Sequence, residues 1–472
     1  MIKRSIGAIA AMCGGTLANE NHMNAEVMVC GVTTDSRRVT AGQLFIPLVG
    51  ENFDGHEFGA DVWDSGAAAI LWQKDRPIAE ALVDAPLILV DDTLAALQKL
   101  ASSYRDELDL RVVGITGSNG KTTTKDMVAS VLSGFFRVHK TAGNLNNHIG
   151  LPLTVLQLDE SIDIVVLEMG MSGFGEIELL TMIAKPDIAI ITNIGDAHML
   201  QLGSREGIAA AKLEIAKGLR SGGLLLTNGD EPLLCKAVPE LILDPSVQLQ
   251  TFGLSEKNDW SAAHITVDVL SSTFDVVQDD RLSKVTLPVP GQHNVSNALA
   301  AVGAAKWFGV PDEQILEGLN SLQLTGMRIE PLRAYNGAMV LNDAYNANPT
   351  AVRAAVDLVA QLTGYRRRWL VLGDMRELGP REAVLHSEIG AYITPDKAEA
   401  VLTFGELSLN TAAAAKKQLK QDGAQEAPVK AFQDKNELIE YLRANLDPRD
   451  LVLVKGSRGM RMEEIVHDLQ RV

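Results

Sequence analysis

Residues 113–124 read Val113-Gly114-Ile115-Thr116-Gly117-Ser118-Asn119-Gly120-Lys121-Thr122-Thr123-Thr124, an apolar strand, a glycine-rich turn and the hydroxyl-rich start of a helix. Such a turn lets successive backbone N–H groups converge on an anion, Lys121 adds a mobile cation, and the Thr122 hydroxyl suits Mg²⁺. The general phosphate-loop spacing would put a glycine where Ile115 stands; here Gly117 lies inside the loop, as in the variant T-G-[ST]-x-G-K-T. The stretch predicts a nucleoside triphosphate site, with Gly117, Ser118, Asn119, Gly120, Lys121, Thr122 and Thr123 around the phosphates. The bland alternative is a glycine-rich strand–helix turn with a solvated lysine.

Working outward, Val165-Val166-Leu167-Glu168 is an apolar strand ending in a carboxylate. Ligands of parallel α/β sheets sit beyond the carboxyl ends of the strands, so Glu168 is expected to face the phosphate loop and ligate Mg²⁺. Residues 187–191 form another such strand, followed by Thr192-Asn193-Ile194-Gly195-Asp196-Ala197-His198, where His198 reads either as a loop residue or as a metal neighbour. The helix-period segment 204–219 carries Ile208, Ile215 and Leu219 on one stripe, and Lys212 lies on that same stripe. A lysine facing a core needs a partner or a modified state, unless its stem snorkels to water. Gly291-Gln292-His293-Asn294-Val295-Ser296-Asn297 sets His293 and Asn297 one turn apart at a helix start near Asn294, fit for capping or for nucleoside contact. Asp343-Ala344-Tyr345-Asn346-Ala347-Asn348-Pro349 reads as a polar strand–helix turn or, given its density of amides and carboxylates, as a ligand site.

The rhythm of the whole chain agrees. At 472 residues, about three domains are expected, and 46% hydrophobic residues suffice for real cores. Residues 1–108 are mixed α/β and dotted with glycine. Residues 109–324 alternate apolar runs at 111–115, 163–168 and 187–192 with helical segments, which predicts a parallel sheet. Two antiparallel strands are expected within 264–289, joined at Gln278-Asp279-Asp280. Residues 325–472 restart the α/β alternation with runs at 339–341, 369–372, 400–404 and 451–454, a second open α/β domain. A net charge of −17 argues against nucleic acid or an anionic membrane as the main partner, so phosphate binding must rest on local devices. Three cysteines in no metal spacing fit a reducing compartment, no apolar run approaches a membrane span, and a cytoplasmic setting is expected. The first eleven residues mimic a signal peptide but lack a convincing cleavage site, and a native N-terminal helix is expected.

Together these motifs resemble the ATP-dependent Mur ligases of peptidoglycan synthesis and their relatives, the folylpolyglutamate synthetases. The resemblance spans almost the whole chain. It implies a small α/β N-terminal UDP-sugar domain, a central P-loop ATPase-like parallel-sheet domain and a Rossmann-like C-terminal domain. Asn144-Leu145-Asn146-Asn147-His148-Ile149-Gly150-Leu151-Pro152 and the 343–349 run are similar to the branch that joins D-alanyl-D-alanine to UDP-N-acetylmuramoyl-tripeptide. The substrate signature D-N-P-R of a sister branch is missing, and Asn342-Asp343 stands where a carboxylate pair is common.

By that resemblance Lys121, Glu168, His198 and Lys212 would be catalytic, and Lys212 would be carbamylated by CO₂. Two Mg²⁺ ions would sit among Thr122, Glu168, His198 and the modified Lys212. His293, Asn294 and Asn297 would lie near adenine, Arg328 and Asp343 would contact ATP from the C-terminal side, and Tyr345, Asn346 and Asn348 would neighbour the dipeptide. Thr34-Asp35-Ser36-Arg37-Arg38 looks like the UDP-sugar domain of the family, which brings Ser36 and Arg37 near the uridine diphosphate. A monomer that closes its C-terminal domain over ATP is expected. The competing classes are a sister ligase that adds a single amino acid, a nucleotide-hydrolysing switch and a non-catalytic UDP-sugar scaffold. The N-K-x-D-like base reader of guanine switches is missing from the chain.

Overall fold

The structure is a computed structural model that describes residues 1–18, 25–278, 281–424 and 427–471. The phosphate-loop strand, Arg111–Thr116, lies inside a six-stranded parallel sheet. The strand order is Gln248–Phe252, Leu224–Asn228, Ile188–Ile191, Arg111–Thr116, Ile164–Glu168 and Val138–Lys140. Side chains alternate between faces along each strand, so one sheet feeds two cores. Val112, Val165 and Leu167 enter one of them, and Val113, Ile115, Ile164 and Val166 the other. Helix Gln292–Trp307 and a three-stranded antiparallel sheet cover the second face.

The first face is shared with the N-terminal region. Ile2, Ile6, Leu97, Leu100 and Tyr104 pack in one core with Leu151, Val155 and Leu180. The N-terminal region folds as helix Ile6–Cys13, a five-stranded mixed sheet and helix Thr93–Glu107. Near the end of that last helix, buried Arg105 donates to the carbonyls of Ala184, Leu108 and Leu110. One guanidinium thereby ties the connection at 108–110 to the central sheet's helical layer.

The C-terminal region is a second open sheet, ordered Glu330–Arg333, Met339–Asp343, Leu451–Lys455, Arg368–Gly373, Ala400–Phe404 and Val429–Phe432. Only the first pair is antiparallel. The loops at 343–348, 374–378 and after Lys455 all leave the carboxyl edge of this sheet, where an open α/β sheet places ligands.

Several expectations need correction. The antiparallel region has three strands, Ser261–Val267, Ser272–Gln278 and Arg281–Leu287, where two were expected. The expected turn at Asp279-Asp280 lies outside the described residues. His264, at φ 52°, interrupts the first strand's register, which hid the strand's period. The strands Val138–Lys140, Gln248–Phe252, Glu330–Arg333 and Val429–Phe432 sit at sheet edges and are short or half polar, so they leave little apolar signal. Helix Gln292–Trp307 opens before Asn294, and segment 204–219 is an α-helix only over Arg205–Leu213, continuing as a 3₁₀ turn.

Candidate active site

Helix Lys121–Ser133 starts at Gly120, which holds φ 79°, and Gly117 holds φ 148°. A methyl group at Gly117 would stand 1.8 Å from Thr192 Oγ1, and one at Gly120 would stand 2.7 Å from Asn297 Oδ1. Both the conformation and the close approach therefore require glycine. Asn193 clamps the loop from the neighbouring strand exit. Its Oδ1 accepts from Asn119 N–H, its Nδ2 donates to Asn119 O, and its carbonyl accepts from Ser118 N–H, each at 3.0 Å. Lys121 Nζ folds back onto the Gly117 carbonyl at 2.8 Å. Burial lowers the Lys121 pKa; Glu168 opposes that shift and Arg328 adds to it.

Glu168 ends its strand almost fully buried. The Thr122 hydroxyl donates to one carboxylate oxygen at 2.9 Å, Asn146 Nδ2 donates to the other at 2.8 Å, and the Glu168 N–H donates to Thr141 Oγ1. His198 sits at φ 63°, and its Nδ1 is buried without a hydrogen-bond partner. Burial first, then Lys121 and Lys212, push the His198 pKa down to about 4, so its ring is neutral near pH 7. Its approach to Glu377 Oε2 at 3.4 Å is therefore a contact between a neutral ring and a carboxylate rather than an ion pair. Lys212 is buried on the stripe of Ile208 and Ile215, and among the described residues its side chain makes no hydrogen bond or ion pair. Burial, and secondarily Lys121, hold its pKa well below that of an ordinary lysine.

The C-terminal region builds the facing wall. Arg328, between Met327 at φ 62° and Ile329 at φ 53°, donates to Thr122 Oγ1 at 3.0 Å and lies 4.0 Å over the Tyr345 ring. Asn348 caps helix Pro349–Gln361 by accepting from Ala351 N–H, while its Nδ2 donates to Asn119 Oδ1 at 2.7 Å. Lys455 Nζ donates to Asp343 and to the Asn346 carbonyl. His293 faces the open cleft. Asn294 Nδ2 turns back to the Pro290 carbonyl rather than capping the helix, and Asn297 Nδ2 donates to Asn294 Oδ1. Together these groups line one cleft of about 670 Å³, which Lys121, Glu168 and His198 share with His293, Asp343 and Lys455.

Of the residues expected at the site, Ser118 to Thr123, Glu168, His198, His293, Asn294, Asn297, Arg328, Asp343, Tyr345, Asn346 and Asn348 line this cleft, and Gly117 packs directly behind it on Thr192. Lys212 stands behind the lining, next to His198 and Lys121. Ser36 and Arg37 lie elsewhere, on a 3₁₀ turn of the N-terminal region, where Arg37 forms a two-point pair with Asp35 at the surface. Sequence reasoning quoted Asn146 and Asn193 within their stretches without giving either a role, and did not single out Glu377 or Lys455. Lys455 ends an apolar strand, and the rule that found Glu168 would have found it. The Thr122 hydroxyl and the Glu168 carboxylate are hard oxygen donors that suit Mg²⁺. Among the described residues no three His, Cys, Asp or Glu side chains form a ready-made metal cage.

A phosphate loop facing a second α/β sheet, with an arginine and amides reaching across to it, defines a nucleotide-using enzyme that assembles its site from two domains. The family models agree in sequence. Residues 115–305 match the Mur ligase middle domain, residues 327–458 the Mur ligase glutamate ligase domain, and residues 29–105 the Mur ligase family catalytic domain. The UDP-N-acetylmuramoyl-tripeptide--D-alanyl-D-alanine ligase of Bacillus subtilis (strain 168) is 47% identical over 478 residues, covering 99% of each chain. MurF from Acinetobacter baumannii has a similar structure, with a TM-score of 0.88 at 31% identity over 100% of this chain and 99% of that one. MurF ligase from Thermotoga maritima in complex with ADP gives a TM-score of 0.81 at 28% identity, over 93% and 97% of the two chains. This chain belongs to the Mur ligase family and has its three-domain α/β fold.

Proposed function

We propose that this enzyme is an ATP-dependent ligase that joins D-alanyl-D-alanine to UDP-N-acetylmuramoyl-tripeptide, forming ADP and phosphate and completing the peptidoglycan pentapeptide precursor. The observation that carries this reading is the cleft itself. Phosphate-gripping groups of the central domain and Arg328, Tyr345 and Asn348 of the C-terminal domain meet around one space, in a chain whose relatives with that activity match it end to end.

A carboxylate is a poor electrophile, so the tripeptide carboxylate is first phosphorylated by the γ-phosphoryl of ATP to an acyl phosphate. That step brings an anion to a polyanion. Each unit-charge pair at 4 Å costs ~1 kcal/mol in water but ~4 kcal/mol at an effective dielectric near 20. Lys121 releases the Gly117 carbonyl to meet the β/γ phosphates, and the backbone of Gly117 to Thr123 cradles them. Thr122 and Glu168 would hold one Mg²⁺, and Glu168, His198 and carbamylated Lys212 a second. When bound, these ions would offset the charge of the triphosphate and of the acyl phosphate. Arg328 reaches the same phosphates from the opposite wall. His293, Asn294, Asn297 and Asp343 serve the nucleoside end, Tyr345, Asn346 and Asn348 lie along the path of the dipeptide, and Ser36 and Arg37 meet the uridine diphosphate.

A carbamate replaces the Lys212 cation with an anion, which gives a partner-free buried lysine a reason to sit beside His198 and Lys121. The domains of this reading run 1–108, 109–324 and 325–472. The enzyme works as a cytoplasmic monomer, a setting that suits its free cysteines and nucleotide substrates. Among the described residues no helix is long and apolar enough to cross a membrane.

The test is phosphate release from Mg-ATP with UDP-N-acetylmuramoyl-tripeptide, comparing D-alanyl-D-alanine with single amino acids, with the product weighed by mass spectrometry. Release only with the dipeptide, and a product heavier by the dipeptide minus water, is expected. Turnover with a single amino acid would move the enzyme to a sister ligase.

A further inference from the structure

The loop at 374–378 leaves strand Arg368–Gly373 at the sheet edge that also carries Asp343 and Lys455. It is held at four points. Met375 N–H donates to His386 Nε2 at 3.0 Å, Arg376 N–H to Ser457 Oγ at 2.8 Å, Ser457 N–H to the Asp374 carbonyl at 3.1 Å, and Ser408 N–H to Asp374 Oδ1 at 2.7 Å. Within this fixed loop Glu377 takes φ 66°, a conformation that is unfavourable for a residue with a side chain and is kept only when the surroundings impose it. Its carboxylate is thereby presented to the cleft, two-thirds exposed, with Oε2 3.4 Å from His198 Nδ1. His198 lies on the strand exit that clamps the phosphate loop through Asn193, so Glu377 stands on the phosphate-loop side of the cleft.

The other carboxylates lining the cleft are engaged. Glu168 accepts from Thr122 and Asn146, Asp343 is paired with Lys455, and Glu176 accepts from Ser172 N–H. Among the described residues Glu377 makes no hydrogen bond. Lys121 and Arg328 give this end a cationic character that suits phosphates and repels an approaching ammonium. Yet the acceptor must bring its nitrogen here, and near neutral pH an α-amino group, with pKa about 7.7–8.0, is mostly ammonium.

We propose that Glu377 draws the dipeptide's ammonium to the phosphate end of the cleft and so sets the enzyme's preference for a cationic acceptor; this rests on the ligase reading above. In the step that follows, the C–N bond forms and the C–O bond to phosphate breaks. Phosphate leaves with the electron pair, and the nitrogen gives up two protons, one to the departing phosphate and one to solvent.

Hydroxylamine, uncharged near neutral pH, attacks an acyl phosphate without needing a carboxylate to attract it. The full chain and its Glu377→Gln variant are compared with Mg-ATP and UDP-N-acetylmuramoyl-tripeptide, using either D-alanyl-D-alanine or hydroxylamine as acceptor. The variant is expected to raise the KM for the dipeptide about tenfold or more, the loss of one charge-assisted contact, while the KM for ATP changes little. Its kcat/KM ratio of dipeptide to hydroxylamine falls by a similar factor, and Glu377→Asp recovers part of the loss. An unchanged dipeptide KM, or equal losses with both acceptors, would overturn the proposal. A wild-type enzyme that forms neither hydroxamate nor ligated product would overturn the ligase reading along with it.

Discussion

Lys212 is the residue whose surroundings are hardest to explain without the modification proposed above. It is buried, its side chain has no polar partner among the described residues, and it feels the charge of half-buried Lys121 and lies near a neutral histidine. An unmodified ammonium there would be a buried, uncompensated charge. We expect Lys212→Ala to lose acyl-phosphate formation and to regain part of it with short carboxylic acids that refill the space. Carbon-13 NMR of the wild-type enzyme under labelled CO₂ should give a carbamate signal that the variant lacks. Full activity in Lys212→Ala would sink the idea. This residue was legible in sequence because a charge interrupted an apolar helical stripe, just as Glu168 was legible at a strand end and Lys121 in its loop. Asn193 and Glu377 were not. The first acts on the phosphate loop from another strand exit, and the second matters only through a contact made across the cleft.

At the scale of elements, loops that face the cleft are held by pins behind it, and the 374–378 loop depends on His386. That ring is buried, its Nδ1–H donates to the Glu382 carbonyl, and its Nε2 accepts from Met375 N–H, so the native loop needs neutral imidazole. Burial lowers its pKa below the ordinary value of 6.5, with the Glu382 carbonyl opposing. Between the folded and unfolded pKa values the unfolded chain holds a proton that the native state does not, so stability rises with pH through that window. The contribution is complete above about pH 6.5 and is lost as pH falls below it. The stability advantage of wild type over His386→Gln, measured by thermal unfolding, should therefore shrink from pH 7.5 to pH 5.5. A difference that stays constant across that range would remove His386 from this role. The motif spacing of the sequence carried no trace of the pin, because a backbone N–H supplies half of it.

Over the whole molecule, two open sheets turn their carboxyl edges toward one cleft, while the N-terminal domain shares a core with the central one. The alternation of apolar runs with helical segments made both sheets legible. The short edge strands and the third strand of the antiparallel sheet were not, since half-exposed edges leave no continuous apolar run. In an acidic chain of net charge −17, Lys121, Arg328 and the glycine-rich loop come together in that cleft, the local device that the proposed binding of a polyanion needs.

On the proposed reading, this cleft activates the tripeptide carboxylate as an acyl phosphate before the dipeptide attacks. The direct measurement uses UDP-N-acetylmuramoyl-tripeptide labelled with ¹⁸O in its reacting carboxylate and follows the isotope during ligation with D-alanyl-D-alanine. One carboxylate oxygen must bond to the γ-phosphorus and leave with it, so the released phosphate should carry one ¹⁸O per amide bond formed. Unlabelled phosphate, formed alongside ligated product, would contradict the account.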